Sequence, residues 1–366
     1  MSSTDSSTVL AERRKHLGIL TLNRPKALNA LSLEMIRAIT AQLLAWREDP
    51  QVGAVLLRGA NREGKAPAFC AGGDIRYFHA AAFAGDPALE DFFSEEYALN
   101  HLVHTFGKPT FVLMDGVTMG GGMGLAQGAS MRIVTEHGRL AMPETNIGLF
   151  PDVGGGWFLA RAPGHLGEFL GLSGQVLGAA DSLAVDWADV CVKADRLDDL
   201  VQALVDATAV DGVGALSAVN AFASDAGAAS LRGHRDLIDR VFALPDLAAI
   251  VAALAAEEGA FAAALARTLS QRSPLMMAVT LAQIRRARTM TLADDLRMER
   301  GVVRHCFHLR PGAASETLEG IRALVVDKDH APKWNPPAIG DVTPALVDAF
   351  FVSPWPAHAH PLRDLA

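Results

Sequence analysis

The segment Ala141-Met142-Pro143-Glu144-Thr145-Asn146-Ile147-Gly148-Leu149-Phe150-Pro151-Asp152-Val153-Gly154-Gly155-Gly156 places two carboxylates, Glu144 and Asp152, eight positions apart in apolar surroundings. Desolvation raises a carboxylate's pKa and suits it to proton transfer near neutrality, so the pair is a candidate acid/base set. A purely structural reading stands beside this one, with Glu144 capping a helix and Asp152 an adjoining turn. A third carboxylate emerges from periodicity. At about 3.6 residues per turn, Leu89, Phe92, Leu99, Val103 and Phe106 share one helical face, and Glu96 falls in its middle. Glu96 therefore needs a buried hydrogen-bond or salt-bridge partner, or an opening into a cavity, whereas Glu95 at the edge reaches solvent more easily.

Two glycine breaks carry a different chemistry. Cys70-Ala71-Gly72-Gly73-Asp74 and Gly120-Gly121-Gly122-Met123-Gly124 each follow a strand pattern and precede a helical one. Free N–H groups at a helix start carry partial positive charge, and the missing side chains let a carbonyl oxygen approach, which is what an oxyanion hole requires. Each cluster taken alone also reads as a tight turn. Neither cluster, nor Gly154-Gly155-Gly156, fits GxGxxG, and no GxxxxGK[ST] or GxSxG occurs. Dinucleotide-dependent, P-loop and serine-elbow chemistries are thereby disfavoured. Cys70, Cys191 and Cys306 are widely spaced and form no zinc-like cluster, so no metal site is expected.

The elements that must position these residues follow from patterning. Leu17 to Leu22 reads as a strand ended by Asn23-Arg24-Pro25, and Ser32 as the N-cap of a helix carrying Leu33, Ile36, Ile39 and Leu43. Val52 to Leu57, Ala68 to Cys70, Thr110 to Met114 and Met131 to Thr135 read as further strands, with a long helix from Leu89 to Phe106 among them. This alternation predicts an α/β fold with a largely parallel, buried sheet. After about residue 200 the pattern turns helical, most plainly over Ala252 to Ala266, and the polar stretch from Ser224 to Arg235 reads as a connection. A core over 10–200 and a helical C-terminal region over 201–366 are expected.

Half the residues are apolar and a fifth charged, as in ordinary soluble proteins, and the formal net charge of -8 gives no general attraction to nucleic acid or anionic lipid. No apolar run reaches bilayer length. The polar start from Met1 to Lys15 shows neither a secretory core nor an acid-poor transit helix, and a cytoplasmic location is expected.

Taken together, these segments resemble the crotonase (enoyl-CoA hydratase/isomerase) superfamily, from about Leu17 to about Phe351. Within it, MPETxIGLFPDVGGG, Cys70-Ala71-Gly72-Gly73-Asp74-Ile75-Arg76, Phe93-Ser94-Glu95-Glu96-Tyr97, Glu319-Gly320-Ile321-Arg322-Ala323 and Pro332-Lys333-Trp334 look like the 3-hydroxyisobutyryl-CoA hydrolase branch. Thr317-Leu318 departs from that branch's acidic-aromatic pair, outside the expected site. The resemblance implies a spiral ββα core and hydrolysis of a short 3-hydroxyacyl-CoA, as in valine degradation. It implies oxyanion donors at the N–H groups of Gly73 and Gly121, with Glu144 and Asp152 catalytic, and substrate binding by Gly72, Gly120 and Glu96, the last receiving the substrate hydroxyl. Glu144 would act as nucleophile or as general base. Arg24, Lys26 and Lys333 are candidates for the CoA phosphates. Coenzyme A enters as part of the substrate, with no separate cofactor, and a homo-oligomer of three or six copies is implied. Hydratases of the family carry a first catalytic glutamate where this chain has Gly124, and commonly glycine at the place of Asp152. An enoyl-CoA hydratase or isomerase and a catalytically silent CoA-binding protein are the competing readings.

Overall fold

A computed structural model of the chain describes residues 7–209, 212 and 214–366. Nine strands form two sheets: β1 (Val9–Arg14), β2 (Leu17–Leu22), β3 (Ala54–Gly59), β4 (Ala68–Cys70), β5 (Thr110–Met114), β6 (Val117–Met119), β7 (Met131–Val134), β8 (Arg139–Ala141) and β9 (Val190–Cys191). The larger sheet has the order β1-β2-β3-β5-β7-β9, and the smaller one β4-β6-β8. β1 runs antiparallel to β2, and every other neighbour pair of the larger sheet is parallel. β2 and β5 are buried throughout and β3 over its first four residues. Continuous apolar runs of this kind need cover on both faces, which is why they form the parallel part of the sheet.

The helices that matter for the site are α1 (Leu33–Glu48), α2 (Ile75–Ala84), α3 (Ala88–His104), α4 (Gly121–Gln127), α5 (Gly155–Leu159), α6 (Pro274–Ala287), α7 (Leu292–His308) and α8 (Glu316–Ile321). Ser32 caps α1 as the sequence predicts, its hydroxyl accepting the Met35 N–H at 3.3 Å. α1 buries Met35, Ile36, Ile39, Leu43 and Trp46. Gly18 lets the Trp46 ring lie on β2, since a Cβ there would come within 2.7 Å of it.

By contacts the chain divides into two units. One comprises residues 1–73, 99–140 and 177–229, the other 74–98, 141–176 and 230–366. The first holds the larger sheet and an apolar core of Leu17, Ile19, Leu56, Phe111, Ile133, Leu200 and Leu204 among others. From Leu197 onward the described residues hold helices and turns and no strand.

Some local expectations are revised. Ala252 to Ala266 is two helices, Leu247–Ala256 and Ala260–Leu269: Glu257 turns extended after the first, and Gly259, at φ +111, is the N-cap of the second. β1, β6, β8 and β9 lack the continuous apolar signal: β1 is an edge strand with a polar outer half, and the others span two or three residues. Within Ser224 to Arg235, a 3-10 turn forms over Ser230–His234 and a helix starts at Arg235.

Candidate active site

In the first unit the two glycine breaks lie side by side. Gly72 has φ +97, and a Cβ on it would stand 3.1 Å from the Met119 carbonyl oxygen and 3.4 Å from the Gly121 nitrogen. Gly120 is the N-cap of α4 at φ +49, so the Gly121 N–H lies in a first helical turn, where no intrahelical acceptor exists. Gly122 has no room for a side chain, because its Cβ would collide with the Cys70 backbone. Asn29, buried in the left-handed region at φ +55, anchors the approach: its Nδ2 donates to Ala60 O at 3.0 Å and Ala68 O at 2.8 Å, while its Oδ1 accepts the Arg24 N–H at 3.0 Å. Gly124 is buried inside α4.

The acidic residues belong to the second unit. Glu144 opens a 3-10 turn, Glu144–Ile147, that ends at Gly148 with φ +66. The turn is gripped from several sides. Thr145 Oγ1 donates to Leu172 O at 3.1 Å, Arg272 Nη1 donates to Asn146 Oδ1 at 2.7 Å, and Thr317 Oγ1 donates to Gly148 O at 2.6 Å. Gly148 and Gly320 admit backbone-to-backbone approach between this turn and α8 that no side chain would allow.

Glu144 and Asp152 are each 6% exposed and Glu96 2%. Burial is the main cause that raises all three carboxyls. Glu96 is raised further by the charges of Asp152 and Glu144, and Glu144 by that of Asp152. Asp152 rises to about 6, held back by a 2.8 Å hydrogen bond from the Tyr97 hydroxyl to its Oδ2. Glu96 Oε1 and Glu144 Oε2 have no hydrogen-bond partner. Native proteins rarely leave buried carboxyl oxygens unpaired, and such atoms ask for an explanation in a ligand or a reaction. The arrangement offers one readily ionised carboxylate beside two carboxyls that hold their protons to higher pH. Glu96 is buried on the apolar face of α3 as the helical wheel predicts, and that helix ends at His104, two residues short of Phe106.

A second acidic pair, Asp295 and Glu299 on α7, is fully buried. Glu299 accepts the N–H groups of Gly154 and Gly156, and Asp295 accepts that of Trp157. One residue further, buried Arg300 reaches α3, with Nε donating to Ser94 Oγ at 2.9 Å and Nη2 to the Glu90 carboxylate.

The structure thus gathers Glu96, Glu144 and Asp152 around one another, and Gly72 against Gly120 and Gly121. Arg24 spends its Nη1 on Ala30 O at 2.7 Å, Lys26 is exposed on the 3-10 turn Pro25–Ala27, and Lys333 is exposed while its backbone N–H donates to Glu319. Sequence reasoning missed Tyr97, Asp295, Glu299, Gln283 and Arg300. The signal for Asp295 and Glu299 was present: they stand four apart on a helix face with Leu296, Val303 and Cys306, the same test that exposed Glu96.

The family model for enoyl-CoA hydratase/isomerase matches residues 17–351, nearly the whole chain. The chain belongs to the enoyl-CoA hydratase/isomerase family. Among curated members, the 3-hydroxyisobutyryl-CoA hydrolase, mitochondrial, of Xenopus tropicalis is 40% identical over 341 residues, covering 92% of this chain and 86% of that protein. Solved members include a carnitinyl-CoA dehydratase from Mycobacterium thermoresistibile at 36% identity and TM-score 0.88, covering 98% of this chain and 99% of that one. An enoyl-CoA hydratase from Rhodobacter sphaeroides follows at 37% identity and TM-score 0.86, covering 95% and 98%. These family neighbours bear out the crotonase-like α/β expectation. The curated relative's name states a mitochondrial location, and nothing in these likenesses supports the cytoplasmic expectation. Among the described residues no helix is long and apolar enough to cross a membrane.

Proposed function

We propose that this chain hydrolyses the thioester of a short 3-hydroxyacyl-CoA, with 3-hydroxyisobutyryl-CoA as substrate, to the free acid and CoA. The observation that carries the reading is the buried carboxyl cluster in which Glu144 stands in the electrostatic field of Asp152, itself fixed by Tyr97. The names of the curated relatives support it.

Attack on the thioester carbonyl turns it into a tetrahedral oxyanion. The Gly73 and Gly121 N–H groups are assigned to that oxygen, which they stabilise more than the planar ground state. Glu144 either attacks the carbonyl, giving a mixed anhydride that water opens, or takes a proton from the attacking water. In both routes the C–S bond breaks and the departing CoA sulfur takes up a proton. Single-turnover hydrolysis in ¹⁸O-water separates the routes, since only the anhydride route, with water attacking at Glu144, labels its carboxylate. Asp152 orients the water, and Glu96 accepts the substrate hydroxyl. Arg24, Lys26 and Lys333 are assigned to the CoA phosphates by the same reading. A homo-oligomer of three or six copies belongs to the proposal and is tested by sedimentation.

Hydration of an enoyl-CoA is the second reading, favoured by the names of the two solved neighbours, a dehydratase and a hydratase. Gly124 stands against it, because the family's water addition uses a carboxylate at that place and a glycine has none. Incubating the protein with 3-hydroxyisobutyryl-CoA and, separately, crotonyl-CoA in the presence of a thiol reagent decides. Free CoA from the first supports hydrolysis. Loss of enoyl absorbance without thiol release would establish the hydratase instead.

A further inference from the structure

Asp152 stands at the start of a backbone turn that its residues do not favour. Val153 holds φ +59 and Gly154 φ +85, and a β-branched side chain in the left-handed region is a genuine outlier. Such backbone persists only where its surroundings over-determine it. Here the surroundings are two helices of the same unit. Glu299 Oε2 accepts the Gly154 N–H at 2.7 Å, and Oε1 accepts the Gly156 N–H at 2.9 Å. Gln283 Nε2 on α6 donates both to Glu299 Oε1 at 2.8 Å and to Pro151 O at 2.7 Å. Asp295 Oδ2 accepts the Trp157 N–H at 2.8 Å. The backbone is therefore pinned on both sides of Asp152, at Pro151 before it and at Gly154 after it. Gly156 gives the room for this, since a Cβ there would stand 2.5 Å from Asp295 Oδ1.

Glu299 is costly to keep. It is wholly buried, and burial penalises the charged form of a carboxyl even where N–H groups meet both of its oxygens. Asp295, one helical turn earlier, adds to this, since its charge raises Glu299 further. A capping serine or a water would satisfy the same N–H groups with less expense, but neither supplies two rigidly spaced acceptors on a long helix.

We propose that Glu299 is a positioning residue that acts through Asp152, fixing the Gly154–Gly156 turn so that the Asp152 carboxyl keeps its aim, with Asp295 holding the Trp157 N–H that follows the turn. The assignment rests on the reading that Asp152 takes part in thioester hydrolysis.

The test is a double-mutant cycle on CoA release from 3-hydroxyisobutyryl-CoA, each rate normalised to the folded fraction by near-ultraviolet circular dichroism. Glu299→Gln keeps the shape but turns one acceptor into a donor facing an N–H. It should lower kcat about tenfold or more with KM within about threefold, since small displacements of a reacting group cost that much. In an Asp152→Asn background the same change should cost less than about twofold, because the group it aims is already gone. Asp295→Asn, which still offers an acceptor to Trp157, is the second variant, with a smaller kcat loss and the same collapse in the Asp152→Asn background. Equal losses in both backgrounds, or an unchanged kcat per folded molecule, would overturn the inference. Failure of the wild type to release CoA would instead remove the functional reading on which it rests.

Discussion

Two buried acidic clusters in the same unit look alike in composition and differ in what their oxygens meet. Each Glu299 oxygen accepts a backbone N–H, and one accepts a glutamine amide N–H as well, whereas Glu144 and Glu96, and Asp295 beside Glu299, each keep an oxygen with no partner. A satisfied carboxyl holds a fold in place, while an unsatisfied one is held in readiness by the fold around it. Burial raises the pKa in both clusters. What separates Glu144 from Glu299 is the unused hydrogen-bonding capacity, more than the direction of the pKa shift.

The sharpest way to break this comparison is Glu144→Gln. The amide is isosteric but is neither base nor competent nucleophile, so turnover should fall by roughly 10²-fold or more with the fold intact. Retention of more than about a tenth of wild-type kcat would remove Glu144 from the reacting group.

Glu96 comes next. Leaving a buried polar group without its partner costs about 1 to 3 kcal/mol, so kcat/KM for 3-hydroxyisobutyryl-CoA should exceed that for isobutyryl-CoA by roughly 5- to 150-fold. Glu96→Gln should narrow this ratio. Were Glu96 a supporting residue like Glu299, its loss would scale both substrates alike, and the ratio would stay where it was.

The third effect is a displacement along the pH axis. Glu144 is raised by burial and then by the charge of Asp152. Asp152→Asn removes that charge, lowers the Glu144 pKa, and should move the rising limb of the residual kcat/KM profile to lower pH. A limb that stays put or moves upward would separate the two residues electrostatically.

The smallest effect belongs to the supporting pair. Asp295 is raised from 3.8 to about 7, chiefly by burial. The folded state therefore holds its proton more tightly than the unfolded chain, and the stability this confers is present below about pH 4 and lost as pH rises through 7. Tm of the wild type should fall between pH 5 and pH 8, and Asp295→Asn should flatten that fall. An identical slope in the variant would show that other groups govern it.

The sequence exposes much of this arrangement. The apolar strands β2, β3 and β5, the Ser32 cap and the Glu96 face follow from period and propensity, because each is a repeated local signal. Glu144, Asp152 and the glycine breaks are found because a motif and a resemblance coincide on them. Tyr97 lies beside Glu96 in a quoted motif, yet its bond to Asp152 spans 55 positions and has no local signature. Glu299 and Gln283 reach Gly156 and Pro151 across more than a hundred positions, and only the folded chain brings those partners together. β9, with two residues, is too short to show any period.

Each of the two contact units is stitched from three separate stretches of chain, and this has a consequence for biosynthesis. The first unit is not complete until Ala229 has been made, and the second waits for the C-terminal residues. At ribosomal speeds of about 5–20 residues per second, β2 and β3 must remain exposed for on the order of ten seconds or more before β9 and the helices after it arrive. A nascent chain with uncovered apolar strands is a chaperone client, so high yields of this protein should depend on slow synthesis or added holdase capacity as much as on the stability of the finished fold.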